Sequence, residues 1–290
     1  MKERDEFTLD RALVRRSFER AAPSYDASAV LQREVGARLL ERMELTTLAP
    51  QRILDLGCGS GRPTRELRRR FAEADVLGLD LAFGMLKLAR RRQPWWRPAR
   101  FVCAEAALLP FSTASFDLLY ANLVLQWCED LDPLFLEWRR VLRSPGLLLF
   151  SSFGPDTLRE LRSAWSGADG YNHVNRFLDM HDIGDALIRA GFVEPVMDVE
   201  RVTLTYADVF GLMRDLKGIG AHNVTAGRGR GLTGRGRLAA MTAAYEAFRQ
   251  DGRLPATYEV VYGTAWAPKF MPTAALRAKP DTAAAGGTEP

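Results

Sequence analysis

The stretch Ile53-Leu54-Asp55-Leu56-Gly57-Cys58-Gly59-Ser60-Gly61 decides the fold of this chain. Its first four residues predict a short buried strand, and the alternate glycines predict a sharp turn into a helix. Glycine allows positive φ and lets a ligand approach the backbone closely. Asp80 ends the next apolar run, and an acid at that place binds a ribose diol in dinucleotide folds. The stretch therefore predicts a site for an adenosine-type cofactor at a strand end.

The details of the turn argue against a cofactor with phosphates. The glycines follow Gly57-x-Gly59-x-Gly61, not Gly-x-Gly-x-x-Gly, and no Gly-Lys-Ser/Thr follows them. Asp55 would repel a pyrophosphate but accepts hydrogen bonds from an ammonium group. S-adenosylmethionine carries such a group and no phosphate. The stretch resembles the motif of class I methyltransferases, and we expect this cofactor.

Composition restricts the protein class. The chain has 290 residues, is 47% hydrophobic and carries a net charge of +4, which fits a folded enzyme and does not require nucleic acid. Cys58, Cys103 and Cys128 are far apart, so we expect neither disulfides nor a metal site, and a reducing, cytoplasmic setting. The charged N-terminus lacks the apolar core of an export signal, so we do not expect one, and no apolar stretch is long enough to predict a membrane span.

Alternating strands and helices predict an α/β fold with a doubly wound, mostly parallel, Rossmann-like sheet. Two helices precede the sheet, and the change of pattern after residue 153 predicts a helical insertion over 207–250 that forms a substrate cap. We expect one methyltransferase domain over 1–270 and a disordered tail over 271–290. The predicted strands are 52–56, 75–79, 100–103, 116–120, 147–153, 196–206 and 258–265. The predicted helices are 10–22, 28–43, 63–71, 84–92, 132–142, 182–190, 207–217 and 237–250.

Four polar or glycine positions follow four predicted strands. They are Gly57, Asp80, Glu105 and Asn122. Ligands of such sheets bind outside the carboxyl ends of the strands, so we expect these positions to meet in one crevice. The full predicted cofactor set is Gln32, Asp55, Gly57, Gly59, Gly61, Asp80, Leu81, Glu105, Ala106 and Asn122.

Longer runs carry a more specific resemblance. The run Met213–Ala221, with its Leu-Lys-Gly-Ile-Gly-Ala sequence, is the most specific, and Leu125–Leu131 and His173–Phe177 agree with it. With Phe18 and Tyr25, they resemble the malonyl-acyl-carrier-protein O-methyltransferase family of biotin synthesis over residues 14–267.

The resemblance implies methyl transfer from S-adenosylmethionine to the free carboxylate of a malonyl thioester on acyl carrier protein, an acidic partner. The methyl ester hides a charge so that fatty-acid enzymes can extend the chain. Glu105 stands where many relatives have Asp, which implies a small shift in the contact to the adenine amine.

A malonyl carboxylate is ionised at neutral pH, so it needs no general base. It does need an orienting group, and an arginine fork suits a carboxylate. The sequence offers Arg140, Arg176 and Arg214, with Lys217 less suited, and spacing does not choose among them. Tyr25 lies between the N-terminal helices, where a lid would close over the cofactor.

Other functions stay open at this point. Phe153–Leu158 and Pro255–Tyr258 also resemble a related family that includes a complex I assembly factor that hydroxylates arginine. A non-catalytic assembly factor and a small-molecule methyltransferase are further alternatives. Arg228, Arg230, Arg235 and Arg237, which are interleaved with glycines, suggest an RNA methyltransferase or a basic loop that meets the acidic carrier. RNA is disfavoured, because 121–124 after the fourth strand lacks the Asn/Asp-Pro-Pro-Tyr/Phe motif.

Overall fold

The structure, a computed structural model, describes residues 8–268 except 97, 170, 222, 226 and 228–233. The predicted tail 271–290 and the arginines at 228 and 230 lie outside the described residues. Within the described chain, one sheet has the strand order β3-β2-β1-β4-β5-β7-β6. Its strands are β1 (Arg52–Leu56), β2 (Asp75–Asp80), β3 (Arg100–Cys103), β4 (Phe116–Asn122), β5 (Leu142–Phe153), β6 (Val193–Tyr206) and β7 (Leu254–Ala267).

The pairing confirms the predicted fold. Strands β1 to β5 pair in parallel, whereas β7 lies antiparallel between β5 and β6. The carboxyl ends of β1, β2 and β4 therefore reach the same edge of the sheet, which is where the predicted crevice should lie.

Helices cover both faces of the sheet. They are α1 (Arg11–Ala21), α2 (Tyr25–Ser28), α3 (Val30–Glu41), α4 (Arg62–Arg70), α5 (Phe83–Arg91), α6 (Leu131–Val141), α7 (Arg159–Ser166), α8 (Met180–Arg189), α9 (Val209–Gly218) and α10 (Arg235–Glu246). The predicted insertion corresponds to α9 and α10, which lie between β6 and β7. No helix among the described residues has both the length and the apolar character that crossing a bilayer requires.

Strand β4 shows how the core is divided. Leu118 and Tyr120 belong to a buried cluster with Leu39 of α3, whereas Leu119 belongs to a second cluster with Phe135 of α6. Successive side chains of a strand point to opposite faces, so one apolar strand supplies both clusters. The parallel strands are thus buried on both sides and hold the carboxyl edge in a fixed position.

The sequence did not predict α7. Its Glu160 is 4% exposed, and the carboxylate accepts hydrogen bonds from the backbone N–H and the hydroxyl of Thr257, at 3.1 and 2.5 Å. A local pattern gives no sign of this partner because it lies about a hundred residues away in the chain. Glu160 therefore fastens α7 to β7.

Strand β7 also begins earlier than predicted, at Leu254 instead of residue 258. Proline cannot donate a hydrogen bond to a ladder, so a strand accommodates Pro255 only at an edge position. Pairing with β5 ends at Val260, so Pro255 has only Thr205 of β6 beside it and occupies an edge position.

Candidate active site

The glycine turn packs too tightly for side chains. Gly57 and Gly61 have φ of +65° and +74°, in the left-handed region. A Cβ on Gly57 would lie 2.4 Å from a methyl of Val124, and one on Gly61 would lie 2.8 Å from the Cβ of Ala89. Both the backbone conformation and the space therefore require glycine at these positions.

Asp80 joins the turn to the end of β2. One carboxylate oxygen accepts the backbone N–H of Gly59 at 2.9 Å, and the other accepts that of Ala82 at 2.8 Å. Burial raises the pKa of Asp80 to about 6, although these hydrogen bonds oppose the rise. A carboxylate oxygen can accept more than one hydrogen bond, so both oxygens can still receive a diol.

Asp55 lies beneath the turn and is 1% exposed. Its Oδ2 accepts the Thr64 hydroxyl at 2.5 Å, while its buried Oδ1 has no hydrogen-bond partner in the described chain. Burial, and to a smaller extent the charge of Asp80, raises the pKa of Asp55 to about 8. A buried acid of this kind becomes charged when a cation approaches.

Two connected lobes form a cleft around the turn, which we call the turn cavity. The lobes have volumes of about 190 and 370 Å³. Both are lined by Tyr25, Gln32, Gly57, Gly59 and Asn122. The smaller lobe is also lined by Asp80, Leu81, Glu105 and Ala106. The structure thus brings eight predicted cofactor residues to one cleft, while Asp55 and Gly61 lie behind its lining.

The side chain of Asn122 is hydrogen-bonded within the protein. Its amide nitrogen donates to the carbonyl of Gln32 at 2.9 Å, and its oxygen accepts the Ser151 hydroxyl at 2.8 Å. The Gln32 side-chain oxygen is buried without a partner among the described residues. Asn122 therefore positions α3, and the unpaired acceptor comes from Gln32.

The N-terminal helices form a roof over the turn. The Tyr25 ring lies 3.7 Å from the place a Gly59 Cβ would take, and Phe18 packs edge-on against Trp127 at 5.2 Å. Glu19 accepts the N–H groups of Phe83 and Gly84 at 2.8 Å, so α1 caps α5. Burial and the nearby Asp80 raise the pKa of the Tyr25 hydroxyl, which therefore remains protonated.

The predicted arginine clamp is not in the turn cavity. Arg140 pairs with Glu137 at 2.7 Å and donates to the carbonyls of Phe111 and Leu109, so it fastens α6 to the loop after β3. Arg176 lines a separate cavity beside His173. Arg214 lines a third cavity below α9. Sequence spacing could not separate these three positions.

Two other residues of the turn cavity were not among the predicted site residues. Arg11 of α1 lies 3.3 Å from Glu105 and 3.8 Å from Glu129. Gln126, in the 3₁₀ turn after β4, has a buried side-chain oxygen without a partner in the described chain. Its sequence signals were its place after a strand end and its membership of the run Leu125–Leu131, and neither assigned it a role. No group of three potential metal ligands occurs among the described residues.

Solved structures show the same fold at low sequence identity. The YcgJ protein from Bacillus subtilis aligns with a TM-score of 0.58 and 15% identity, over 79% of this chain and 97% of its own. A SAM-dependent methyltransferase from Thermotoga maritima aligns with a TM-score of 0.52 and 16% identity, over 88% and 99%.

Sequence comparisons identify the family to which the chain belongs. The family described as "Methyltransferase domain" matches residues 54–150. A malonyl-[acyl-carrier protein] O-methyltransferase from Gallionella capsiferriformans is 53% identical over 91% of this chain and 93% of its own length. Those from Methylovorus sp. and Coxiella burnetii are 55% and 41% identical over 91% and 90% of this chain, and 92% and 89% of their own lengths. The chain therefore belongs to the malonyl-[acyl-carrier protein] O-methyltransferase family of S-adenosylmethionine-dependent enzymes.

Proposed function

We propose that this protein methylates the free carboxylate of a malonyl thioester carried by acyl carrier protein, and that the ester primes biotin synthesis. The observation that carries the proposal is family identity of 41–55% that extends over about nine-tenths of the chain. It includes the cap region, where a substrate would be chosen, and not only the cofactor half.

S-adenosylmethionine, when bound, supplies a methyl group activated by a sulfonium. The turn cavity has groups that suit each part of it. Asp80 would receive the ribose diol, and the unpaired oxygens of Gln32 and Asp55 favour its ammonium group. Glu105 would accept from the adenine amine, with Leu81 and Ala106 beside the ring.

The protein need not remove a proton from the substrate, because a carboxylate is already ionised at pH 7. Its tasks are to align the two reactants and to exclude water. Alignment can contribute about 7–11 kcal/mol. The roof made by Phe18 and Tyr25 is suited to excluding water, which strengthens the electrostatic interactions below it.

Neutral donors are better placed than arginine to orient the malonyl carboxylate. Arg11, the cation that lines the smaller lobe of the turn cavity, is already 3.3 Å from Glu105. The Tyr25 hydroxyl and the Gln126 amide line the same lobe. Such groups hold a carboxylate without neutralising the charge that makes it a nucleophile. We therefore assign orientation to Tyr25 and Gln126 rather than to Arg140, Arg176 or Arg214.

The acidic carrier is the partner that the charges of the cap favour. Arg214, Lys217, Arg235 and Arg237 are exposed on α9 and α10. Exposed cations steer an anionic partner and lose this effect as salt screens them. We infer a cytoplasmic enzyme, because the three cysteines are free, as is usual in a reducing compartment. We also infer that it does not act on nucleic acid.

Methyl transfer from labelled S-adenosylmethionine tests the function. Malonyl-carrier protein should gain a methyl ester, while acetyl-carrier protein and RNA should not, because they lack the free malonyl carboxylate. The Michaelis constant for malonyl-carrier protein should also rise with salt, more than that for a malonyl thioester on a short neutral thiol.

Two results would overturn the proposal. One is the absence of label in malonyl-carrier protein although the protein binds S-adenosylhomocysteine. The other is arginine hydroxylation by the iron-loaded protein together with no methyl transfer, which would favour the related assembly-factor family.

A further inference from the structure

A second large cavity adjoins the turn cavity on the cap side. It lies between α1, α9 and the segment 173–177 and has a volume of about 810 Å³; we call it the cap cavity. Ala221 lines both cavities, and Phe177 of the cap cavity packs against Phe153 of the turn cavity with ring centroids 5.6 Å apart. The two cavities are therefore adjacent, with Ala221 between them.

The lining of the cap cavity combines apolar walls with an amide. Leu158, Leu161 and Trp165 supply buried apolar surface. Asn175 is 6% exposed, and its side-chain oxygen accepts the N–H of Val224 at 3.3 Å. Its amide nitrogen has no partner in the described chain and remains available as a donor. This chemistry suits a flexible chain that contains amide groups.

The rim of the cap cavity is cationic. Arg20, Arg214 and Lys217 are exposed there, and none pairs with a carboxylate within the described part of the chain. Arg214 donates from Nε to the carbonyl of Phe210 at 3.3 Å, which leaves its other guanidinium donors for a ligand.

The carbonyls at the C-terminal end of α9 do not bind these cations. The carbonyls of Leu216 and Lys217 accept the N–H groups of Ala221 and Gly220 at 2.9 and 3.1 Å. The carbonyl of Gly218 accepts the Ser24 hydroxyl at 3.1 Å. The carbonyls at the end of α9 are thus already paired, so the rim cations are available to an external anion.

We propose that the cap cavity binds the phosphopantetheine arm of the acyl donor, with Arg214 and Lys217 on its phosphate and the thioester at Ala221. This inference rests on the proposed function and adds where the donor lies. It makes Arg214 a phosphate-binding residue, not a carboxylate clamp. The same chemistry occurs in carrier protein and in coenzyme A, so the test includes both.

The test compares substrates with and without the phosphate. The variant Arg214→Ala/Lys217→Ala should raise the Michaelis constant at least tenfold for malonyl-phosphopantetheine, malonyl-coenzyme A and malonyl-carrier protein. For malonyl-pantetheine, which lacks the phosphate, it should change less than twofold. The single variant Arg214→Lys keeps the charge, so its Michaelis constants for the phosphate-containing substrates should stay close to those of the unaltered protein.

Two controls identify the cause of an effect. Arg90→Ala/Arg91→Ala removes two exposed cations of α5 that line none of the described cavities, and it should change neither constant. Leu216→Trp narrows the cap cavity and should raise the constant for malonyl-pantetheine but not for a malonyl thioester on N-acetylcysteamine. Binding of S-adenosylhomocysteine, unchanged in every variant, shows that the protein has folded.

The inference is overturned if the double variant weakens phosphate-containing and phosphate-free substrates equally, or weakens neither. A loss confined to carrier protein, with malonyl-phosphopantetheine and malonyl-coenzyme A unaffected, would assign the two cations to the carrier surface alone and also overturn it. If the unaltered protein methylates none of these thioesters, the proposed function itself fails, which is a distinguishable outcome.

Discussion

The turn cavity and the cap cavity hold their charged groups in opposite ways. In the turn cavity, Asp80 accepts two backbone N–H groups, and Asp55 beneath it is buried against Thr64. On the rim of the cap cavity, Arg214 and Lys217 are exposed and have no carboxylate partner in the described chain. The carboxylates of the turn cavity are held in position before a ligand binds, whereas the exposed cations of the cap cavity can change conformation to meet one. This suits a small, invariant cofactor on one side and a long, tethered substrate on the other.

The strongest test of this contrast is Asp80→Ala. The change removes two acceptors for the ribose and leaves the N–H groups of Gly59 and Ala82 without their partner. We expect affinity for S-adenosylhomocysteine to fall by about 1–3 kcal/mol. Calorimetric titration measures this loss, and Asp80→Asn, which keeps one acceptor, should lose less. Unchanged affinity in a folded variant would mean that the turn is not organised around Asp80.

Gln126→Leu tests where the turn cavity stops serving the cofactor and begins to serve the substrate. It removes the amide that we assign to the malonyl carboxylate and should lower kcat/KM by about tenfold, or ~1.4 kcal/mol. Affinity for S-adenosylhomocysteine should stay constant. Leu125, which is buried beside it, offers the matched control Leu125→Met. An equal loss of cofactor affinity would place Gln126 in the cofactor site instead.

Asp55 predicts a pH dependence in the turn cavity that the cap cavity should lack. Its pKa is about 8 in this structure, and a nearby ammonium group lowers it, so binding at pH 7 should release about one proton. The affinity for S-adenosylhomocysteine, which carries the same ammonium group as the cofactor, should therefore rise with pH from 6 to 8. Calorimetry in two buffers with different ionisation enthalpies measures the proton, and Asp55→Asn should abolish its release. Proton uptake, or none, would contradict the assignment.

The raised pKa of Asp55 also determines how the free energy of unfolding changes with pH. Between pH 4 and pH 8, the folded state keeps a proton on Asp55 that the unfolded chain has already lost. This group therefore lowers the free energy of unfolding as pH rises through that window. The unliganded Asp55→Asn variant should lose less stability than the unaltered protein over the same range.

Arg140→Ala should have the smallest effect on function. The guanidinium holds Glu137 and the carbonyls of Phe111 and Leu109, so its loss should lower the free energy of unfolding by about 1–2 kcal/mol. The value of kcat/KM should not change. Denaturant unfolding and steady-state kinetics on the same preparation separate the two effects, and a selective loss of turnover would return Arg140 to the active site.

Local pattern was sufficient to predict the parallel half of the fold. The glycine turn, Asp80 and the short apolar strands are each a signal carried by a few neighbouring residues, and they place Gly57, Asp80 and Glu105 at one edge. The resemblance of longer runs supplied the family. Residues whose role is set by distant partners could not be predicted in this way.

Glu160 and Arg140 illustrate that limit. Sequence analysis did not single out Glu160 and offered Arg140 as a carboxylate-orienting residue, yet Glu160 binds Thr257 and Arg140 binds Leu109 and Phe111. Gln126 shows a different limit, since an unpaired buried oxygen is visible only in three dimensions. Placement of the cations around the cap required the positions of α1 and α9, which no spacing in the sequence provides.

The roof over the turn cavity has a consequence for the order in which the protein is made. Leu9 forms a bridge with Thr225, the N–H of Asp10 donates to the carbonyl of Val224 at 3.1 Å, and Arg11 reaches Glu105. The first helix leaves the ribosome before any of these partners exists. Residues 54–150, which match the methyltransferase domain, can be synthesised in full before Val224 and Thr225, which hold the first helix in the roof, have been made. A nascent chain should therefore acquire cofactor binding late, after residue 225, and a fragment cut at the limits of that domain should lack it.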